Sequence, residues 1–238
     1  RDFIQSYGHE LDNRLLFYFA GHGHTLKLST GLNMGYIVPA DTPAPAWDKI
    51  GFLSKAMDMQ QIEVYAKRIQ AKHALFLFDS CFSGSIFSLT RETPAYINHK
   101  TSQPVRQFIT SGSAGEKVPD QSIFRAQFIS ALAGEADTDE DGYLTGNELG
   151  AFIEKTVINY SSESQHPQFG TIRDSNLDKG DFIFQLTAAG RKHNTKISSS
   201  PPSTILEGHL QINVNVPSSK VTVNGEYKGL AHPGKPLN

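Results

Sequence analysis

Two apolar runs of similar length constrain the fold more than anything else in the chain. Leu15-Leu16-Phe17-Tyr18-Phe19-Ala20 breaks off into Gly21-His22-Gly23-His24, and Leu75-Phe76-Leu77-Phe78 breaks off into Asp79-Ser80-Cys81-Phe82-Ser83-Gly84. Runs this short, ending in Gly and small polar residues, predict strands buried on both faces, as in parallel sheets. Between them Asp58 is placed to cap a helix, with Gln61 three residues on and Met57 and Ile62 as a hydrophobic staple. Ile62, Tyr65, Ala66 and Ile69 form its apolar stripe, and Lys67, Arg68 and Lys72 suit its C-terminal end. Strand, crossover helix and strand predict an α/β architecture. The chemistry of such sheets gathers beyond the carboxyl ends of the strands, where both runs release their polar residues.

Cys81 is the single cysteine among 238 residues. A lone thiol is often an inert core residue. The alternative is a nucleophile that takes its base from elsewhere in the chain. The polar residues beside Cys81 put it at the mouth of its strand, which suits the second role. His22 stands at the matching place after the first run. A histidine there can be an ordinary hydrogen-bonding residue. Nucleophile and base must come within hydrogen-bond reach, however, and two parallel strands ending in His and Cys bring both to one edge. Gly21 and Gly23 let backbone and substrate approach His22 closely. A third use, metal ligation by His22 and His24 at i and i+2, lacks further ligands.

Phe19-Ala20-Gly21-His22-Gly23 and Asp79-Ser80-Cys81-Phe82-Ser83-Gly84 together resemble the two catalytic signatures of the caspase-like cysteine peptidases. The resemblance is to metacaspases and bacterial orthocaspases rather than animal caspases, whose Gln-Ala-Cys is here Asp79-Ser80-Cys81. The separation, 81 minus 22, is 59 residues, close to the roughly 50 of caspases. The resemblance extends from about Asp2 to Leu186. It implies a three-layer sandwich with a mostly parallel central sheet over residues 1–187. It also implies Cys81 as nucleophile, His22 as base and the amides of Gly23 and Cys81 as oxyanion donors. The implied substrate pocket is bordered by Ala20, Asp79, Ser111 and Gly112.

Asp79 stands two residues before Cys81, which on a regular strand puts both side chains on one face. A carboxylate there selects Arg, and less well Lys, before the cut. Its plainer role would be to cap the following turn. The second acidic pocket residue that metacaspases draw from an earlier segment is not in this chain. Nor are the strand, helix and usual further strand that open the family's domain. A separate N-terminal fragment of the same protein is therefore an expected partner, beside peptides and proteins with a basic residue before the scissile bond. The other expectation is that this piece is missing from the chain.

The remaining segments fill in around this frame. Phe3, Ile4, Tyr7 and Leu11 predict a helix over 2–11, and Asp12-Asn13 a turn. The resemblance makes Gly35 to Asp41 a short extended segment beside the active site. Pro43, Pro45 and Trp47 mark a loop that either rims the cleft or is clamped by its own Trp. The polar stretch from Leu89 to Arg106 reads as a surface loop. The resemblance makes it an autoprocessing region, with Arg91, Lys100 and Arg106 as candidate self-cleavage sites. Val105 to Thr110 predicts a strand and Ser111 to Gly115 a flexible loop. Phe124, Phe128, Ala131 and Leu132 predict a helix closed by Gly134.

The stretch from Asp137 to Glu148 fits the EF-hand loop: Asp137, Asp139, Asp141 and Glu148 at positions 1, 3, 5 and 12, Gly142 at 6, the Tyr143 carbonyl at 7 and Leu144 at 8. Carboxylates so crowded repel one another unless a cation neutralises them, and hard oxygens suit Ca²⁺. A metal-free acidic turn is the alternative. The helix after it carries Leu149, Phe152, Ile153 and Val157. Gln165 to Phe169 resembles a family segment that precedes the last strand, which is Gly180 to Leu186, and His166 reads as a loop residue. Residues 188–207, with Ser198-Ser199-Ser200-Pro201-Pro202, predict a linker. Leu210, Ile212, Val214 and Val216 alternate, then Val221 and Val223, and Asn224-Gly225 signals a hairpin. Residues 208–238 resemble the start of a PEGA repeat, a small bacterial β-domain.

Composition narrows the function classes. Hydrophobic residues at 38%, with 15 Phe, supply a sizeable core, and a net charge of −2 offers no nucleic-acid footprint. No apolar stretch approaches the roughly 18 residues needed to span a bilayer. One cysteine excludes an intrachain disulfide framework and leaves the compartment open. The chain opens on Arg1 with no visible signal peptide, which is compatible with a leader already removed. The leading expectation is a cysteine endopeptidase acting after Arg and less well Lys, Ca²⁺-responsive and autoprocessed, with no organic cofactor. A non-proteolytic, Ca²⁺-binding caspase-like adaptor competes with it. The presence of both His22 and Cys81 favours the enzyme.

Overall fold

The structure, a computed structural model, describes residues 2–81, 87–88, 101–113, 116, 122–187, 219–223 and 226–231. The chain divides into two compact units, one of Arg1–Val38 with Thr42–His193 and a second that takes in Asn194–Asn238.

The larger unit begins with helix α1 (Asp2–Tyr7) and strand β1 (Arg14–Ala20). A side sheet follows, with β2 (His22–Lys27), β3 (Asn33–Val38) and, after helix α2 (Lys49–Lys55), β4 (Met57–Asp58). Helix α3 (Met59–Arg68) leads into β5 (His73–Cys81). Then come β6 (Phe87–Ser88), β7 (Val105–Gly112) and helix α4 (Ile123–Ser130), which runs into a π-type turn at Ala131–Glu135. The unit closes with β8 (Tyr143–Thr145), α5 (Gly146–Tyr160), β9 (Gln168–Ile172) and β10 (Ile183–Gln185).

The central sheet has five strands in the order β1-β5-β7-β9-β6. β1, β5 and β7 pair in parallel; β9 is antiparallel to both β7 and β6, so four of the five run the same way and the sheet is mostly parallel. Alternation along the strands sorts the core into two faces. Phe76, Phe78 and Phe108 pack with Ile4 of α1 and Met59, Ile62, Tyr65 and Ala66 of α3. Leu75, Leu77 and Ile109 pack on the other side with Phe124 and Phe128 of α4 and Leu149, Ile153 and Val157 of α5. Every residue of β7 is buried, because it has a strand on each side and helices over both faces.

Local signals explain several boundaries. The Asp58 carboxylate accepts from the Gln61 N–H at 2.8 Å and caps α3 as its sequence predicts. Gly134 ends the α4 segment at φ 101°, a left-handed conformation that glycine adopts without steric cost.

Other expectations need correction. Helix α1 stops at Tyr7 rather than Leu11: Gly8 donates to the Ile4 carbonyl at 3.0 Å, and its own carbonyl accepts from Gln70 and Ala71. Ser111 and Gly112 close β7 instead of opening a loop. The strand expected over Gly180 to Leu186 is present but shorter, as β10 (Ile183–Gln185), and it pairs antiparallel with β8. The antiparallel strand of the sheet is β9, in the stretch read as preceding the last strand. α2 was hidden behind Pro43 and Pro45, and β2 behind a polar sequence.

In the second unit, β11 (Ser219–Val223) and β12 (Glu226–Ala231) pair antiparallel, with Val223 facing Glu226. The expected linker at 188–207 and the alternating Leu210, Ile212, Val214 and Val216 lie outside the described residues.

Candidate active site

β1 and β5 run in register so that Ala20 stands opposite Asp79, and the Gly21 N–H donates to the Asp79 carbonyl at 3.4 Å. Two residues beyond this pair the chains reach His22 and Cys81. His22 is exposed and opens β2, which departs from the sheet to pair with β3, His22 facing Val38 and Gly23 facing Ile37. Cys81 is the last residue of β5, and its backbone pairs with Gly112 at the end of β7. The sheet thus delivers the histidine and the cysteine to its carboxyl edge on neighbouring strands. Ala20, the last residue of β1, is exposed at the same edge.

The approach to Cys81 is not a regular strand. Phe78 pairs with Thr110 and Cys81 with Gly112, so two residues of β5, Asp79 and Ser80, oppose the single Ser111 of β7. Such a bulge re-aims side chains, and bulges are enriched beside active sites. It also interrupts the strict alternation on which a shared face for Asp79 and Cys81 depends.

Asp79 is only 5% exposed. Its Oδ2 accepts from the Tyr18 hydroxyl at 2.9 Å and from the Ser122 hydroxyl at 2.5 Å. Ser122 is the N-cap of α4 and itself accepts from the Arg125 N–H at 2.8 Å. Asp79 is thus held by the residue that caps α4; the turn after Cys81, which Asp79 would itself cap, lies outside the described residues. Burial, reinforced by the Asp79 charge and hydrogen bond, pushes the Tyr18 hydroxyl far above the ordinary tyrosine range, so it stays a donor. The other carboxylate oxygen, Oδ1, is buried and has no hydrogen-bond partner among the described residues; the same holds for Ser80 Oγ, Ser111 Oγ and Gln165 Oε1. Gln165 Nε2 donates to the Ser111 carbonyl at 3.4 Å. Buried polar atoms are rarely left unpaired, so these are open to a partner from outside.

Gly112 borders this edge closely. A Cβ there would meet Glu116 Oε2 at 2.7 Å. The Glu116 carboxylate ties two segments together, accepting from the Ser113 N–H and hydroxyl and from the His166 N–H, with His166 Nδ1 at 2.7 Å. Partial burial raises its pKa, but the hydrogen bonds from Ser113 and His166 outweigh burial and hold it below the usual carboxylate range. His166 is a loop residue, as expected. Tyr18, Ser122, Glu116 and Gln165 all escaped the sequence reading. Only Ser122 carried a local signal, as a serine just ahead of an apolar helix.

The acidic loop gathers three of the carboxylates its pattern names. One carboxylate oxygen from each of Asp137, Asp139 and Asp141 lies within 4.8 Å of the others. Gly142 has φ 84°, as position 6 of such a loop needs. Asp137 Oδ2 accepts from the Gly142 N–H and Asp141 Oδ1 from the Tyr143 N–H, while Asp137 Oδ1 is buried with no partner among the described residues. Burial and the neighbouring Asp139, Asp137 and Glu148 raise the Asp141 carboxyl pKa, which is the strain a cation would relieve. Glu148 is engaged elsewhere: Oε1 accepts from Thr138 and Oε2 from Thr145. His22 and His24 are not part of any metal-binding group among the described residues, and the His24 ring lies edge-on against Phe52 at 5.4 Å.

Arg106 leaves the set of self-cleavage candidates. It is 2% exposed inside β7, and its guanidinium donates to the carbonyls of Ala66, Ile69, Lys72 and Val105. Burial lowers its pKa to about 10. It satisfies the open carbonyls at the end of α3 and in the turn into β5, a structural role that needs the chain intact. Arg91 and Lys100 lie outside the described residues. Trp47 is 90% exposed and so does not clamp its loop. No helix among the described residues is long and apolar enough to cross a membrane. Comparison of the sequence with protein-family models gives no match, and comparison with curated proteins gives none either.

Proposed function

We propose that the larger unit is a caspase-like cysteine endopeptidase that cuts after Arg, and less well after Lys. One observation carries this reading: the register of β1 on β5, closed by the Gly21 to Asp79 hydrogen bond, which brings the segments bearing His22 and Cys81 to one edge. The mostly parallel sheet with helices over both faces is the layer arrangement that a caspase-like sandwich requires. In this mechanism Cys81 attacks the scissile carbonyl as a thiolate and His22 takes its proton, then passes it to the leaving amine. The amides of Gly23 and Cys81 stabilise the oxyanion, a contribution of about 3 kcal/mol for donors aimed in advance. Water then releases the acyl-enzyme. The open oxygen of Asp79 receives the substrate cation, with Ala20, Ser111 and Gly112 bordering the pocket.

The loop from Asp137 to Glu148 is proposed to hold Ca²⁺, with Asp137, Asp139, Asp141, the Tyr143 carbonyl and Glu148 as ligands. The pair of β11 and β12 is proposed to begin a PEGA-like domain.

Digestion of a peptide library, read by mass spectrometry with and without Ca²⁺, tests the whole reading. Cuts should follow Arg and, less often, Lys. Cys81→Ala should lose all cleavage, and iodoacetamide should inactivate the wild type through that one thiol. His22→Ala should be nearly as damaging, because the two residues act as one unit. Full activity in Cys81→Ala removes the peptidase. Absence of any cleavage by the wild type leaves the adaptor.

A further inference from the structure

We propose that Tyr18 and Ser122 are positioning residues that fix the Asp79 carboxylate by one oxygen, so that a substrate's basic side chain is held by the other oxygen alone. This rests on the endopeptidase reading above. Its basis is the asymmetry of the carboxylate. Oδ2 accepts two hydroxyl hydrogens, from Tyr18 and Ser122, while Oδ1 is buried with no partner among the described residues. An oxygen with two lone pairs and two donors has little left to offer a third. The substrate cation therefore meets one oxygen.

The two hydroxyls come from different elements. Tyr18 stands on β1, its ring against Phe124 and Phe128 of α4. Ser122 is fixed because it caps α4. A carboxylate pinned between a strand and a helix terminus cannot turn to satisfy Oδ1 within the protein. It keeps an acceptor in reserve, which is preorganisation for a cation. Both hydroxyls act through Asp79 without touching the substrate, which separates them from the pocket residues themselves.

The test uses the full chain and two fluorogenic peptide amides that differ only in Arg or Lys before the cleaved bond. Tyr18→Phe and Ser122→Ala should each raise KM by about 10-fold or more, the loss expected for one buried hydrogen bond to a charged group. The factor should be the same for both substrates, because both depend on the same oxygen. The kcat values and the rate of Cys81 alkylation by iodoacetamide should stay near wild type. Ser122→Thr keeps a hydroxyl and a cap and should restore KM, which guards against a Ser122→Ala chain that merely folds poorly.

Unchanged KM in both hydroxyl variants overturns the proposal. So does a change in the Arg-to-Lys ratio, which would mean that the hydroxyls face the substrate directly, or a loss that falls on kcat and alkylation together. Asp79→Asn separates this failure from that of the underlying function. If Asp79→Asn cleaves basic substrates as well as the wild type, or the wild type cleaves neither, both readings fall. If Asp79→Asn is impaired and the hydroxyl variants are not, only the positioning role falls.

Discussion

Histidine 73 and arginine 106 show what single buried polar residues do at the far end of the sheet from Cys81. His73 opens β5, is buried, and its Nε2 lies 3.0 Å from the Gln103 carbonyl. Burial lowers its pKa below the ordinary 6.5, helped by the cations of Arg14, Arg106 and Lys72 and opposed by the Gln103 hydrogen bond. Arg14 is its direct neighbour on β1, and Arg106 approaches from β7. The folded state therefore holds fewer protons on His73 than the unfolded state does. Its contribution is neutral above 6.5, turns unfavourable as pH falls through 6.5, and is fully unfavourable below the depressed folded value. Urea midpoints at pH 7.5 and 5.5 should thus differ more for the wild type than for His73→Gln, whose amide can still donate to Gln103. Equal drops in the two proteins would assign the acid sensitivity elsewhere.

At the scale of elements, the acidic loop and helix α5 are one device. Thr145 caps α5 by accepting from the Glu148 N–H, and Glu148 returns a bond to the Thr145 N–H, a complete capping box. The loop is moored to the sheet through Asp181, which accepts from Gln107 of β7 and from Asn147 of α5. Phe182 donates to Gln107 and accepts from Gly146. These bonds are why Gly180 to Leu186 follows the loop instead of joining the central sheet. Glu148 thus serves the helix, and the same carboxylate is the expected bidentate ligand at position 12. Millimolar Ca²⁺ should raise Tm by binding the native state, and Glu148→Gln should remove most of that rise. Thr145→Ala should lower Tm in the absence of Ca²⁺, by about 1 kcal/mol of stability for a lost cap. A wild-type Tm indifferent to Ca²⁺, with no heat of binding by calorimetry, would reduce the loop to a turn.

Across the whole molecule, burial decides where the chain can be cut. Of the basic residues named by sequence for autoprocessing, Arg106 lies in the most enclosed strand of the sheet, and cutting after it would require that strand to open. Local opening of core strands approaches the free energy of global unfolding. Incubation of active protein followed by N-terminal sequencing should therefore show new termini at Glu92 or Thr101, after Arg91 or Lys100. None should begin at Gln107. A Gln107 terminus formed under native conditions would contradict the buried role of Arg106. Its absence from Cys81→Ala alone would then mark it as self-inflicted.

Strand periodicity and capping chemistry were legible in the sequence, because both are set by neighbours a few residues away. The runs at Leu15 and Leu75 became adjacent parallel strands, and Asp58 capped α3. The acidic spacing brought Asp137, Asp139 and Asp141 together. Local pattern failed wherever a distant partner outweighed it. The polar β2 is a strand because β3 supplies its ladder. Arg106 looked like an exposed basic residue and is instead buried, because four carbonyls around α3 and β5 converge on its guanidinium. The bulge before Cys81 and the one-sided hold on Asp79 were decided by tertiary structure alone. They depend on Ser111, Tyr18 and Ser122, which lie at least 30 residues from Asp79 along the chain and meet it only when three strands and a helix pack together.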